Sequence, residues 1–82
     1  MIYLVSPDGH RDSLILDRYA TNADELAGIV EWYCEDMFGW ETKNIEVNMK
    51  YMEITFLADT CFCNDFDKMK YRFVEIHPQT TE

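Results

Sequence analysis

Cys34, Cys61, Cys63, His10 and His77 are the residues best suited to hold a soft metal ion. Cys61-Phe62-Cys63, with Cys34 and either histidine, would supply four ligands for zinc. Tetrahedral zinc sites are usually built from two paired knuckles. This chain has one Cys-x-Cys and no second pair, so the cysteines read as separate thiols. A Cys61–Cys63 disulfide would close a very short, strained ring. An odd number of cysteines without an export signal fits a reducing compartment, so the expected location is the cytoplasm.

Asp59, Asn64, Asp65 and Asp67 form an oxygen-rich loop. It lacks the central glycine and closing glutamate of a calcium-binding loop. His10-Arg11-Asp12 spells the tripeptide of the kinase catalytic loop, but no glycine loop or metal-binding aspartate motif accompanies it. Ser6, Asp8 and His10 name a nucleophile, an acid and a base. On one tight turn they have no room for a base-oriented chain with an oxyanion site. With three glycines in the chain, none within ten residues of another, no phosphate-cradling loop exists. The expectation is a protein with no catalytic residue, no metal and no cofactor.

Charge is the stronger signal. Seven Lys and Arg against sixteen Asp and Glu give −9 over 82 residues. Aromatics at 15% distinguish the chain from an acidic disordered tail. The sign excludes direct phosphate-backbone binding as a principal activity. The length limits the chain to one domain, and no stretch is apolar enough to span a membrane. Residues 19–42 carry −6 with no Lys or Arg, and residues 59–67 carry −3. Lys68, Lys70 and Arg72 share one face of the last predicted strand. That pattern reads as an edge-strand solubility device.

These residues need elements to position them. Residues 1–6 are β-rich, and Pro7-Asp8-Gly9-His10 is a turn signal. Residues 13–19 read as a second strand pairing with the first. Asn22 and Glu25 resemble a capping box. Leu26, Val30, Tyr33 and Met37 then repeat at helical spacing, widened by Ile29 and Cys34. Gly39 stops the helix, which is predicted over 23–38. Ile45, Val47 and Met49 alternate with polar residues. The phase then changes, and Met52, Ile54 and Phe56 alternate, which places a turn or bulge near 49–51. A loop spans 59–67, and a last strand runs to about residue 77. The predicted order is ββαβββ: an α+β single domain over residues 1–78, with one amphipathic helix on a mostly antiparallel sheet of four or five strands. Residues 79–82 form a polar tail.

On this helix Asp24, Glu31 and Glu35 fall on one stripe, and Glu25, Trp32 and Asp36 on the next. No Lys at i+4 offsets the row, and Trp40 and Glu41 follow the stop. A solvated acidic face can serve solubility alone. Beside two tryptophans it also suits a basic protein surface, where carboxylates stand in for phosphates. Tyr19-Ala20, Asp24-Glu25 and Glu31-Trp32 resemble the strand-to-helix segment of a family of small phage-encoded inhibitors of bacterial RNA polymerase. The resemblance is confined to that segment. In size and acidity the chain is also similar to phage anti-restriction and anti-CRISPR proteins.

The expected function is a small acidic protein-binding inhibitor, encoded by a phage or mobile element and acting in the host cytoplasm. Its face would comprise Asp24, Glu25, Glu31, Trp32, Glu35, Asp36, Trp40 and Glu41. A secondary acidic loop would comprise Asp59, Asp65 and Asp67. The partner is expected to be a protein with a basic nucleic-acid-binding surface, which the face would occupy as a DNA or RNA mimic. No nucleic acid or membrane would be bound directly, and homo-oligomerisation is left open. The alternative is a non-enzymatic adaptor or accessory subunit that binds through a sheet edge and exposed aromatics.

Overall fold

The computed structural model describes residues 2–60 and 66–76. Strand β1 (Ile2–Ser6) leads through a short 3-10 turn to helix α1 (Ala23–Phe38). Three strands follow: β2 (Glu41–Asn48), β3 (Glu53–Asp59) and β4 (Asp67–Ile76). The sheet has four strands in the order β1-β4-β3-β2, and every neighbouring pair is antiparallel. The α+β class and the single helix on an antiparallel sheet are as the sequence predicts.

Residues 13–19 depart from the prediction. They do not form a strand paired along β1. Asp8 accepts hydrogen bonds from the His10 backbone N–H (2.9 Å) and the Ser13 hydroxyl (2.6 Å). The Ser6 hydroxyl donates to the His10 carbonyl at 2.6 Å. These bonds hold a wide turn that spends the side chains of Ser6 and Asp8 on backbone and turn geometry. The chain then meets β1 at separate points. Ile15 N–H donates to the Val5 carbonyl (2.8 Å), and Tyr3 and Ala20 exchange two backbone bonds at 2.8 and 2.9 Å. Leu14-Ile15-Leu16 is apolar throughout with no polar residue alternating, and Ile15 is buried while Leu16 is 74% exposed.

The helix has the predicted limits because its caps are chemically complete. The Asn22 side chain accepts from Glu25 N–H at 2.9 Å. The Glu25 carboxylate reaches back to the Thr21 N–H (2.7 Å) and hydroxyl (2.6 Å). At the other end Gly39 takes φ 70°. Its N–H bonds the Glu35 carbonyl at 3.0 Å, and the Trp40 N–H bonds the Cys34 carbonyl at 3.1 Å, which satisfies two otherwise orphan carbonyls. Leu26, Ile29, Val30 and Cys34 face the sheet. Met37, predicted on that stripe, is 58% exposed, because the buried row closes at Cys34, one turn earlier.

Alternation divides the sheet into two faces. Tyr3 and Val5 on β1, Tyr71 and Phe73 on β4, and Ile54, Phe56 and Ala58 on β3 are buried in one cluster with the helix. Edge-to-face ring pairs order it: Tyr3–Phe73 at 5.4 Å and Phe56–Tyr71 at 4.9 Å. The register sets Leu57, Thr55 and Glu53 beside Lys68, Lys70 and Arg72 on the opposite face. β2 carries a bulge between Lys43 and Glu46, where Asn44 adopts φ 55°. In the β2–β3 turn the Asn48 side chain accepts from the N–H groups of Lys50 (3.0 Å) and Tyr51 (3.1 Å).

Candidate functional site

The outer face of α1 is acidic, broken by Gly28 and by Trp32 with the Arg18 guanidinium over its ring. Asp24, Glu31, Glu35, Asp36 and, at the start of β2, Glu41 are all exposed. Among the described residues none of these five carboxylates has a hydrogen-bond or ion-pair partner; the Lys70–Glu53 ion pair, at 3.1 Å, belongs to the sheet. Glu25 is different. It serves the helix cap, and its hydrogen bonds from Thr21 hold its carboxyl below the usual carboxylate range. Of the six carboxylates predicted for this face, Glu25 is therefore the one whose side chain serves the helix cap.

The aromatic residues give the face its relief. Trp32 is half-buried, with Tyr33 at 6.4 Å and the Arg18 guanidinium over its ring at 4.1 Å. Gly28, Glu31, Trp32, Glu35 and Asp36 line a shallow depression there. Trp40, also half-buried, stacks on Phe38 at 4.3 Å and 21°. Phe38 in turn meets Tyr33 edge-on at 5.9 Å. Phe38 is 49% exposed and lies next to exposed Met37. The helix therefore ends in an apolar knob beside Glu35 and Asp36, while Glu41, opposite Asp59 and two residues before Lys43, falls on the sheet face away from the helix.

Sequence reasoning missed Phe38 and Arg18. The signal for Phe38 was present: it lies seven residues after Glu31, so helical spacing puts it on the Asp24–Glu31–Glu35 stripe. No local signal marks Arg18. It reaches Trp32 only because the segment before the helix runs alongside it.

Gly28 interrupts the outer face of the helix. It is exposed, and a methyl group built on it meets nothing within 4 Å. Glycine inside a helix costs about 0.5–1 kcal/mol relative to alanine. Gly28→Ala is expected to raise unfolding free energy by that amount, measured as a higher urea midpoint at unchanged slope.

Of the secondary acidic loop, Asp59 and Asp67 are among the described residues. Asp67 opens β4 and accepts a hydrogen bond from the Thr60 hydroxyl. Asp59 ends β3 opposite Glu41. Asp65 lies outside the described residues, as do Cys61, Cys63 and His77. Cys34, the third cysteine of the zinc set, is fully buried under the helix, with its Sγ 3.5 Å from the Tyr71 hydroxyl. Burial pushes its thiol pKa up, which opposes thiolate formation and ligation. Among the described residues no group of three or more His, Cys, Asp or Glu side chains is placed to hold a metal ion, and no helix is long and apolar enough to cross a membrane.

Comparison of the chain with known protein families, curated proteins and solved structures finds no match.

Proposed function

We propose that this chain is a small acidic inhibitor, phage- or mobile-element-encoded, that acts by protein binding. Its helix face occupies the basic nucleic-acid-binding surface of a partner protein in the manner of a nucleic-acid mimic. One observation carries the reading: the carboxylates of Asp24, Glu31, Glu35 and Asp36 are exposed and, among the described residues, unpaired. Carboxylates with no internal partner remain free to pair with Lys and Arg of another protein. The exposed knob of Phe38 and Met37, backed by Trp40, supplies an apolar anchor beside them, as hot spots usually require. Affinity capture from a bacterial lysate at low salt should retain a nucleic-acid-handling protein. The purified pair should then weaken at least about tenfold between roughly 0.05 and 0.5 M salt, since exposed charge pairs are screened over that range. An affinity unchanged over that range overturns the electrostatic reading.

A second reading is supported by the exposure of Met49 (43%) and Tyr51 (64%) at the β2–β3 turn. An adaptor that binds through this end of the sheet would lose its partner on Tyr51→Ala, whereas the inhibitor reading expects that variant to bind normally.

A further inference from the structure

Arg18 and Trp32 are brought together from different parts of the chain. The segment before α1 runs alongside the helix, and the Arg18 guanidinium lies over the Trp32 indole, 4.1 Å from the ring centroid. Two shallow depressions meet there. Asp17, Arg18, Tyr19, Glu25, Gly28 and Ile29 line one, and Gly28, Glu31, Trp32, Glu35 and Asp36 line the other. Gly28 belongs to both, and its missing side chain leaves no wall between them at that point. Arg18 is the one cation among the lining residues, against five carboxylates.

Arg18 is exposed and, among the described residues, makes no ion pair. Its guanidinium rests on the ring although carboxylates border both depressions. A guanidinium is planar, stacks on aromatic faces and is more weakly hydrated than an ammonium. The chain's own side chain therefore shows which group this place accepts: a flat cation over the indole, with carboxylates around it. An exposed contact of this kind favours the covered ring by a factor of only about two to five, so an incoming arginine can take its place. The backbone need not follow. Ile15 and Ala20 are buried and hydrogen-bonded to β1 on either side, while residues 16–19 are exposed.

We propose, building on the partner-binding reading above, that Trp32 with Glu31, Glu35 and Asp36 forms a seat for an arginine side chain of the partner, which Arg18 fills in the free protein and vacates on binding. Charge alone accepts lysine and arginine equally, whereas the ring selects arginine. Arg18 also acts as a brake. The seat is open only in the fraction of molecules whose Arg18 has swung away, and the apparent affinity is lowered by that fraction.

Hexa-arginine and hexa-lysine peptides, titrated by NMR into the isotope-labelled pure protein at about 0.05 M salt, supply the test, with the Trp32 indole N–H signal as the reporter. Hexa-arginine should move that signal and bind several-fold more tightly than hexa-lysine. Arg18→Gln removes one positive charge, which favours both peptides alike, and it also opens the seat. The affinity for hexa-arginine should therefore rise about three- to sixfold more than the affinity for hexa-lysine. Unchanged signals from the buried core show that the variant is folded. Equal affinity for the two peptides overturns the proposal and leaves the acidic-face reading standing, because that reading needs charge alone. A Trp32 signal that hexa-arginine does not move overturns the proposal too, as does an Arg18→Gln effect that is the same for both peptides.

Discussion

Replacing Glu31, Glu35 and Asp36 with lysine should abolish partner binding while making the isolated domain more stable. The triple change moves the formal net charge from −9 to −3. Each position converts an attraction to a partner cation into a repulsion. At about 1 kcal/mol or more per pair the loss is on the order of 100-fold or greater. The stability of the free protein should move the other way. The helix has acidic residues throughout its second half and none of its last-turn residues is basic. Its C-terminus carries partial negative charge, which favours Lys and disfavours Glu or Asp. Replacement also removes like-charge repulsion along the row. The thermal midpoint of the variant should therefore rise by a few degrees while affinity collapses. A variant that loses both stability and binding would mean that the carboxylates have structural partners after all. A variant that binds normally favours the sheet-end adaptor. Opposite movement of the two quantities is the signature of a surface kept for contact at some expense to the fold.

Much of the architecture was legible because local signals agree along most of the chain. Asn22, Glu25 and Gly39 mark both helix ends through side-chain and backbone chemistry that acts within a few residues. The alternation of Ile54, Phe56 and Ala58 with Glu53, Thr55 and Leu57 fixes which side of β3 is buried. The phase change after Met49 marks the turn. The segment over 13–19 was not legible in the same way. Its β-prone residues suggest a strand, but the turn bonds of Asp8 with His10 and Ser13 decide the chain path, and Ile15 alone of Leu14-Ile15-Leu16 becomes fully buried. Strand order also escapes local reading. β1 pairs with β4, some 70 residues away, because the hydrophobic sides of both strands meet beneath the helix.

The acidic face was legible as a composition and as a stripe, since helical spacing is regular. Its separation into roles was not. Glu25 looks like its neighbours in sequence, and only its bonds with Thr21 assign it to the cap. Trp32 and Trp40 looked like equivalent rings beside the charge. In the structure one lies under Arg18 and the other supports Phe38. Those differences depend on which non-local chain runs past each ring.

The stability of the domain should fall steeply in alkaline solution, through Cys34 and Tyr71. Their side chains meet at 3.5 Å in the core, with the two residues 0% and 4% exposed. Burial raises the thiol above its ordinary value of 9.0, and burial together with the nearby thiol raises the phenol above its ordinary value of 10.0. In the unfolded chain both groups ionise at their ordinary values. Above pH 9.0 the unfolded state has released the Cys34 proton while the native state still holds it, so rising pH favours unfolding. Above pH 10.0 Tyr71 adds to the same slope. Each group contributes a loss of about 1.4 kcal/mol per pH unit until its native form also ionises. The two losses add, and even one pH unit of such a slope is a sizeable share of what a domain of this size possesses. Urea titrations from pH 8 to 11 under reducing conditions, with Cys61 and Cys63 replaced by serine, should follow this descent. Tyr71→Phe should remove the part that begins near pH 10 and leave the earlier part intact. A Cys34→Ala chain should show the reverse. Stability that stays level from pH 8 to 11 would mean that neither proton is retained by the native core. Iodoacetamide then gives an independent check: Cys34 should react at the rate of global opening, slowly at pH 8 and faster as the alkaline descent begins.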